Sequence, residues 1–223
     1  MFRQYRKLEA GEFLLAGGDC SQGGSDSNTC VFISKTKLDI PLVYHSRGVA
    51  AQMTAAIQPV LESIFDSVGV KPTVCFERNN GGASEMERLE AMNRLGKYNL
   101  FVMPRIGQKD EGKDDTDTKK LGWDTNITTR PILLGDWLVS FNREVLGIYD
   151  EEILKEHKTF IVNKHGKPEA SKGKHDDLVF GCAIGWQLYN RCDQSIDYQT
   201  ANQAKFGHNY EDVNKGLKKK WNL

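Results

Sequence analysis

Phe13-Leu14-Leu15-Ala16-Gly17-Gly18-Asp19 is a short apolar run closed by an acid, and a polar, glycine-rich turn follows it through Asn28. A run that is apolar at successive positions predicts a strand buried on both faces. Thr29-Cys30-Val31-Phe32-Ile33 and Leu42-Val43-Tyr44-His45 read as two further strands, with Lys35–Asp39 as the hairpin turn between them. From Val49 the period changes. Val49, Met53, Ile57, Leu61, Ile64 and Val68 recur at steps of three and four, which predicts an amphipathic helix ending at Gly69. Pro59 lies inside it, and an interior proline costs about 3 kcal/mol, so a kink or two abutting helices are expected there.

Thr73-Val74-Cys75-Phe76 is a short strand ending at Glu77. Ser84 and Glu87 have capping-box spacing ahead of a helix to Leu95, with Gly96 as its stop. Leu100–Met103 reads as a fifth strand, halted by Pro104. Residues 107–130 are polar and charged, and a loop longer than about 15 residues inside a compact domain predicts an exposed flap or hairpin. Pro131 suits the first turn of a helix to about Val145, and the last helix starts near Asp177. Strands first, then alternating helix and strand, predict an α/β fold: a mixed central sheet of five strands or more flanked by helices, with an inserted flap.

The 223 residues allow one good-sized core or two small ones. Apolar residues make up 39% and charged residues 27%, with a mean hydropathy of -0.52, which suits a soluble globular domain. Thirty Lys+Arg balance thirty Asp+Glu, which argues against a generally basic nucleic-acid coat protein and against a charged disordered tail. No stretch approaches the roughly 18 apolar residues of a membrane span, so no membrane partner is expected. The basic start lacks an apolar run behind it, so no signal peptide is expected. Five scattered cysteines without a C-x-x-C predict neither a disulfide framework nor a zinc ribbon, and point to a reducing, intracellular setting.

Three acidic features each border a hydrophobic element: Asp19, Glu77 and the pair Asp176-Asp177. Sites in open α/β sheets form outside the carboxyl ends of strands, and parallel neighbouring strands would bring Asp19 beside Glu77. Oxygen-only ligands suit hard cations such as Mg²⁺ or Mn²⁺. Each acid also has a plain alternative. Asp19 could be a turn residue, Glu77 could open a polar loop, and Asp176 or Asp177 could be a helix N-cap.

Taken together, Gly18-Asp19-Cys20-Ser21 with Gly23-Gly24-Ser25-Asp26, Val74–Gly81 and Lys174-His175-Asp176-Asp177-Leu178-Val179 resemble the nuclease domain of the large terminase subunit of tailed bacteriophages. Leu121–Asn126 and Thr129-Arg130-Pro131 are similar to that family as well. The resemblance implies an RNase H-like nuclease over residues 1–192. Its substrate would be concatemeric viral double-stranded DNA, cut during packaging in the cytoplasm of an infected bacterium. By position Asp19 matches the first acidic motif, Glu77 the second and Asp177 the third, with Asp176 and His175 as neighbours. The implied cofactors are two Mg²⁺ or Mn²⁺ ions, which neutralise charge on the phosphate and activate a water. Implied partners of an intact protein are an ATPase motor domain, the portal and the small terminase subunit.

No motor is expected in this chain. Gly107–Asp114 is superficially like a phosphate-binding loop, but Asp114 stands where Ser or Thr is required and the neighbouring acids would repel phosphate. DNA contact is expected from the lysine-rich stretch before His175, chiefly Lys164, Lys167, Lys172 and Lys174, and from Arg78. A basic tail follows from residue 193. Few features suggest base readout, so cutting is expected to tolerate sequence. Other RNase H-like nucleases (a junction resolvase or a hybrid hydrolase) and a noncatalytic DNA- or portal-docking module stay open. A cysteine hydrolase using Cys20 has less support, since no histidine is paired with it.

Overall fold

The computed structural model describes residues 1–24, 26–103, 120–164 and 166–193. The chain divides after Cys192 into two compact units. Beyond Asp193, the second unit and its basic tail lie outside the described residues, as do the phosphate-loop look-alike and the flap as far as residue 119.

The first unit is a mixed sheet built around β2 (Leu14–Asp19). β2 pairs antiparallel with β3 (Asn28–Ser34), and β3 with β4 (Asp39–Ser46). On its other side β2 runs parallel to β5 (Thr73–Phe76), which pairs with β6 (Asn99–Leu100). β1 (Phe2–Gln4) and β7 (Gly147–Ile148) both add to β4 and bring the sheet to seven strands among the described residues. The first four strand expectations hold, and the fifth is corrected: in place of Leu100–Met103 the strand is Asn99–Leu100, with Val102 in an isolated bridge to Leu121. The sheet gains β1 and β7, which are too short to carry a pattern of their own.

Because β2 is sandwiched, its alternate residues enter opposite cores. Leu14 and Ala16 pack with Phe32, Val74 and Phe76 beneath α1 (Ala50–Val68) and α2 (Gly82–Met92). Leu15 packs with Val31, Ile33 and Cys75 beneath α3 (Thr129–Asn142) and α5 (Asp177–Arg191). Each such leucine or isoleucine contributes about 1.5–3 kcal/mol of burial. α5 is buried from Asp177 through Leu188, as its nearly unbroken apolar run requires. It lies so close to β2 that a Cβ on Gly17 would collide with the backbones of Gly181 and Gly185.

Five expectations about helices and connecting stretches are corrected, the first only in its two-helix alternative. α1 is one continuous helix, not two, with Pro59 inside and a left-handed Gly69 (φ 76°) closing it. Pro59 and Ala55, whose carbonyl loses its helical partner, are both exposed, so water can replace the missing bond. α2 starts at Gly82, so Ser84 and Glu87 lie within it and form no capping box. The left-handed pair Asn80 and Gly81 turns the chain first. α2 also stops at Met92, because Asn93 binds forward to Tyr98 O (2.7 Å) and accepts from Lys97 N (3.1 Å). Within the stretch assigned to a flap, Leu121 and Trp123 return to the sheet edge beside Val102 and Glu77, and α3 begins at Thr129. The lysine-rich stretch is not a plain loop. It contains α4 (Glu151–Thr159) and a hairpin of β8 (Phe160–Val162) and β9 (Pro168–Ala170).

Candidate active site

Gly17 lies opposite Cys75 and Gly18 opposite Phe76 in the parallel β2–β5 pair, so Asp19 and Glu77 leave adjacent strands at the same edge. Glu77 N donates to Gly18 O at 2.8 Å and fixes that register at the exit. Asn79 Nδ2 donates to Glu77 Oε1 (3.2 Å) and to Thr125 O (3.1 Å), which ties the second acid to the loop before α3.

The third acidic feature arrives on α5. Thr29 Oγ1 donates to Asp177 O (2.8 Å) and Ser27 N donates to Asp177 Oδ2 (2.9 Å), so the helix start is bound to the beginning of β3. Asp176 occupies the N-cap position but makes no side-chain capping bond. The N-cap reading of this pair is therefore set aside: neither carboxylate is spent on the helix end.

Asp19, Glu77, Asp176 and Asp177 line one cleft of about 1330 Å³, and Asp26 joins them. Arg130, Lys167, Lys174 and His175 line the same cleft. Burial, then the charge of Glu77 with its hydrogen bond, then Asp177 and Asp176, push the Asp19 carboxyl well above the ordinary carboxylate range. Burial also raises Asp176, against the backbone of Ala170 and the positive charge of Arg130. Asp177 is raised by burial, against its bond from Ser27. Collected like charges of this kind favour a cation among them. The donor set is all oxygen, which fits a hard divalent ion, and Thr125 Oγ1 adds a buried hydroxyl with no partner among the described residues. Among the described residues no three His, Cys, Asp or Glu side chains form a group that could hold an ion as they stand.

The remaining sequence-expected residues separate. His175 lines the cleft, half-exposed, with Nδ1 at 3.9 Å from Asp177 Oδ2. Lys167 and Lys174 line it too, whereas Lys164 and Lys172 are exposed on the hairpin turn and on the loop after β9, outside its lining. Arg78 points elsewhere. Its Nη1 donates to Leu121 O at 2.6 Å, and it is not among the cleft residues. Cys20 is buried, with its thiol pushed well above the ordinary range by burial and then by Asp19, which is the opposite of an activated nucleophile.

Sequence reasoning missed Arg130 as a site residue. Its guanidinium lies 4.7 Å over the Phe180 ring, and Nη2 donates to Pro168 O (3.1 Å), which joins α3, the hairpin and α5 at the cleft wall. It also missed Glu156 on α4, whose Oε2 accepts from Leu178 N (2.8 Å) and Val179 N (3.3 Å). The Thr-Arg-Pro step pointed toward Arg130. Nothing local points to Glu156.

A mixed sheet with acids at two parallel strand ends and a third set on the helix packed against them defines an RNase H-like α/β fold with an acidic cleft. That fold is shared with viral large-terminase nuclease domains. The cobalt-bound large terminase nuclease from thermophilic phage G20c superposes with a TM-score of 0.57 at 15% identity, covering 86% of each chain. The Thermus phage P74-26 large terminase nuclease domain gives 0.54 at 16%, covering 86% of this chain and 85% of that one. The human cytomegalovirus terminase nuclease domain gives 0.51 at 11%, covering 80% and 83%. No protein-family model and no curated protein matches the sequence.

Proposed function

We propose that this protein is a divalent-metal-dependent endonuclease that hydrolyses phosphodiester bonds of double-stranded DNA, with concatemeric viral DNA as its substrate during genome packaging. One observation carries the reading: carboxylates from two parallel strand ends and one helix start line a single cleft, together with basic side chains. The cobalt-bound phage nuclease of the same fold supports it.

In this reading Asp19, Glu77 and Asp177 or Asp176 would together hold two Mg²⁺ or Mn²⁺ ions. The ions supply neutralisation of charge on the phosphate and acidification of the attacking water. The chain's own groups do the rest. Asn79 holds the Glu77 carboxylate in orientation. His175, at the cleft wall, orients water or a phosphate oxygen. Arg130, Lys167 and Lys174 face the DNA backbone, while Lys164 and Lys172 extend that basic surface. Because these groups address phosphates, cutting tolerates sequence. The proposed setting is the cytoplasm of an infected bacterium, with an ATPase motor, portal and small terminase subunit as partners.

Plasmid nicking tests the reading. The protein should convert supercoiled DNA only with Mg²⁺ or Mn²⁺, and a chelator should stop it. Asp19→Asn and Glu77→Gln should each lower the rate by about 100-fold or more, as loss of a metal ligand requires. Unchanged nicking in both variants would place the chemistry elsewhere.

A further inference from the structure

We propose that Glu156 is a positioning residue for this site: it caps α5 from the neighbouring helix and thereby leaves the carboxylates of Asp176 and Asp177 to the cleft. The cleft's use as a metal site rests on the nuclease reading above, whereas the capping rests on geometry alone.

An N-cap side chain ordinarily accepts a hydrogen bond from the second or third backbone amide of its own helix. In α5 those amides belong to Leu178 and Val179, and Asp176 is the residue placed to accept them. It does not. Both amides instead donate to Glu156 Oε2, at 2.8 and 3.3 Å. Asp177 is equally uncommitted to the helix end, because its Oδ2 accepts from Ser27 N across 150 positions of sequence. Asp176 and Asp177 line the cleft and Glu156 does not. The orphan amides of the helix are therefore satisfied from behind.

Glu156 is itself held firmly. α4 is capped by Asp150, whose side chain accepts from Glu152 N (2.8 Å) and Ile153 N (3.1 Å) and is gripped by Arg3 (2.7 Å) and Tyr5 (2.8 Å). At its other end His157, the next residue, accepts from Trp137 Nε1 (2.7 Å) and bonds Ile153 O (2.7 Å). Without Glu156, the acceptor that the N-cap position offers the two amides is Asp176, and turning back to them takes its carboxylate from the cleft.

The test compares wild type with Glu156→Gln, which keeps an acceptor oxygen, and with Glu156→Ala and Glu156→Met, which do not. Met preserves volume in case Ala fails to fold. Three quantities are read: amide exchange at Leu178 and Val179, Mn²⁺ affinity by calorimetry, and the Asp176 rotamer in a crystal structure. Gln should keep both amides protected and Mn²⁺ affinity close to wild type. Ala or Met should expose the amides or turn Asp176 onto them, and weaken Mn²⁺ binding on the order of 10-fold. Wild-type amide protection and Mn²⁺ affinity in a folded Ala or Met variant would overturn the proposal. So would an equal loss of affinity in Gln, which would assign the effect to charge. If wild type binds no Mn²⁺, the nuclease reading fails, and the exchange and rotamer results still decide the capping role.

Discussion

Glu156 and His157 are consecutive on α4, and burial moves them in opposite directions. Burial lifts the Glu156 carboxyl to about 7, with Asp177 and Asp176 adding to the effect and the Leu178 and Val179 amides opposing it. Burial drops His157 to about 4, against the Ile153 carbonyl. His157 Nε2 accepts from Trp137 and its Nδ1–H donates to Ile153 O, a pattern that only the neutral ring can make. Its folded pKa lies below the unfolded value, so its contribution is complete above about pH 6.5 and is lost as pH falls toward 4. The loss is about 1.4 kcal/mol per pH unit and about 3 kcal/mol in full. Glu156 has the opposite sign: its contribution is complete below about 4.5 and fades as pH rises through 7. Titration by NMR should place the His157 midpoint near 4, and a midpoint at 6 or above would contradict a buried neutral ring. At this scale Asp19 and Glu77 were legible because each ends an apolar run. Glu156 and Arg130 were not, since their partners lie 22 and 38 positions away.

The contact between β2 and α5 positions the cleft, because one element carries Asp19 and the other Asp177. Gly17 permits the close approach of Gly181 and Gly185, so Gly17→Ala forces backbone apart at the centre of the fold. It should cost about 3 kcal/mol in urea unfolding, at the upper end for overpacking, and should lower Mn²⁺ binding with it. Gly135 is the control. It lies inside α3, exposed, with open space where a Cβ would stand, so Gly135→Ala should stabilise by about 0.5–1 kcal/mol. If both changes are neutral, the packing account of this interface is wrong. The buried elements announced themselves through unbroken apolar runs or a 3.6 period. β1, β7, β8 and β9 did not, since two or three residues cannot display a period and owe their form to neighbouring strands. α4 was hidden by its own charge: of its nine residues only Ile153 and His157 are buried.

Across the whole chain, thirty positive and thirty negative charges cancel in number but not in place. Asp19, Asp26, Glu77, Asp176 and Asp177 share one cleft, and Lys167, Lys174 and Arg130 line it with them. Composition could exclude a basic coat protein but could not reveal this segregation, which arises only when β5 lies beside β2 and α5 crosses behind. DNA affinity should therefore be salt-sensitive. In an Asp19→Asn background, which should bind without cutting, Lys167→Ala and Lys174→Ala should each reduce the slope of log affinity against log salt by about 1. An unchanged slope in anisotropy titrations would remove those lysines from the interface. The central claim is that the acids at the two strand ends and the helix start take up a divalent cation together. Anomalous diffraction at the manganese edge from a Mn²⁺-soaked crystal with a short duplex tests it most directly. The account predicts manganese at bonding distance from Asp19, with Glu77 and Asp177 or Asp176 completing the site. Manganese absent from the cleft, or bound there with Asp19 and Glu77 uninvolved, would contradict it.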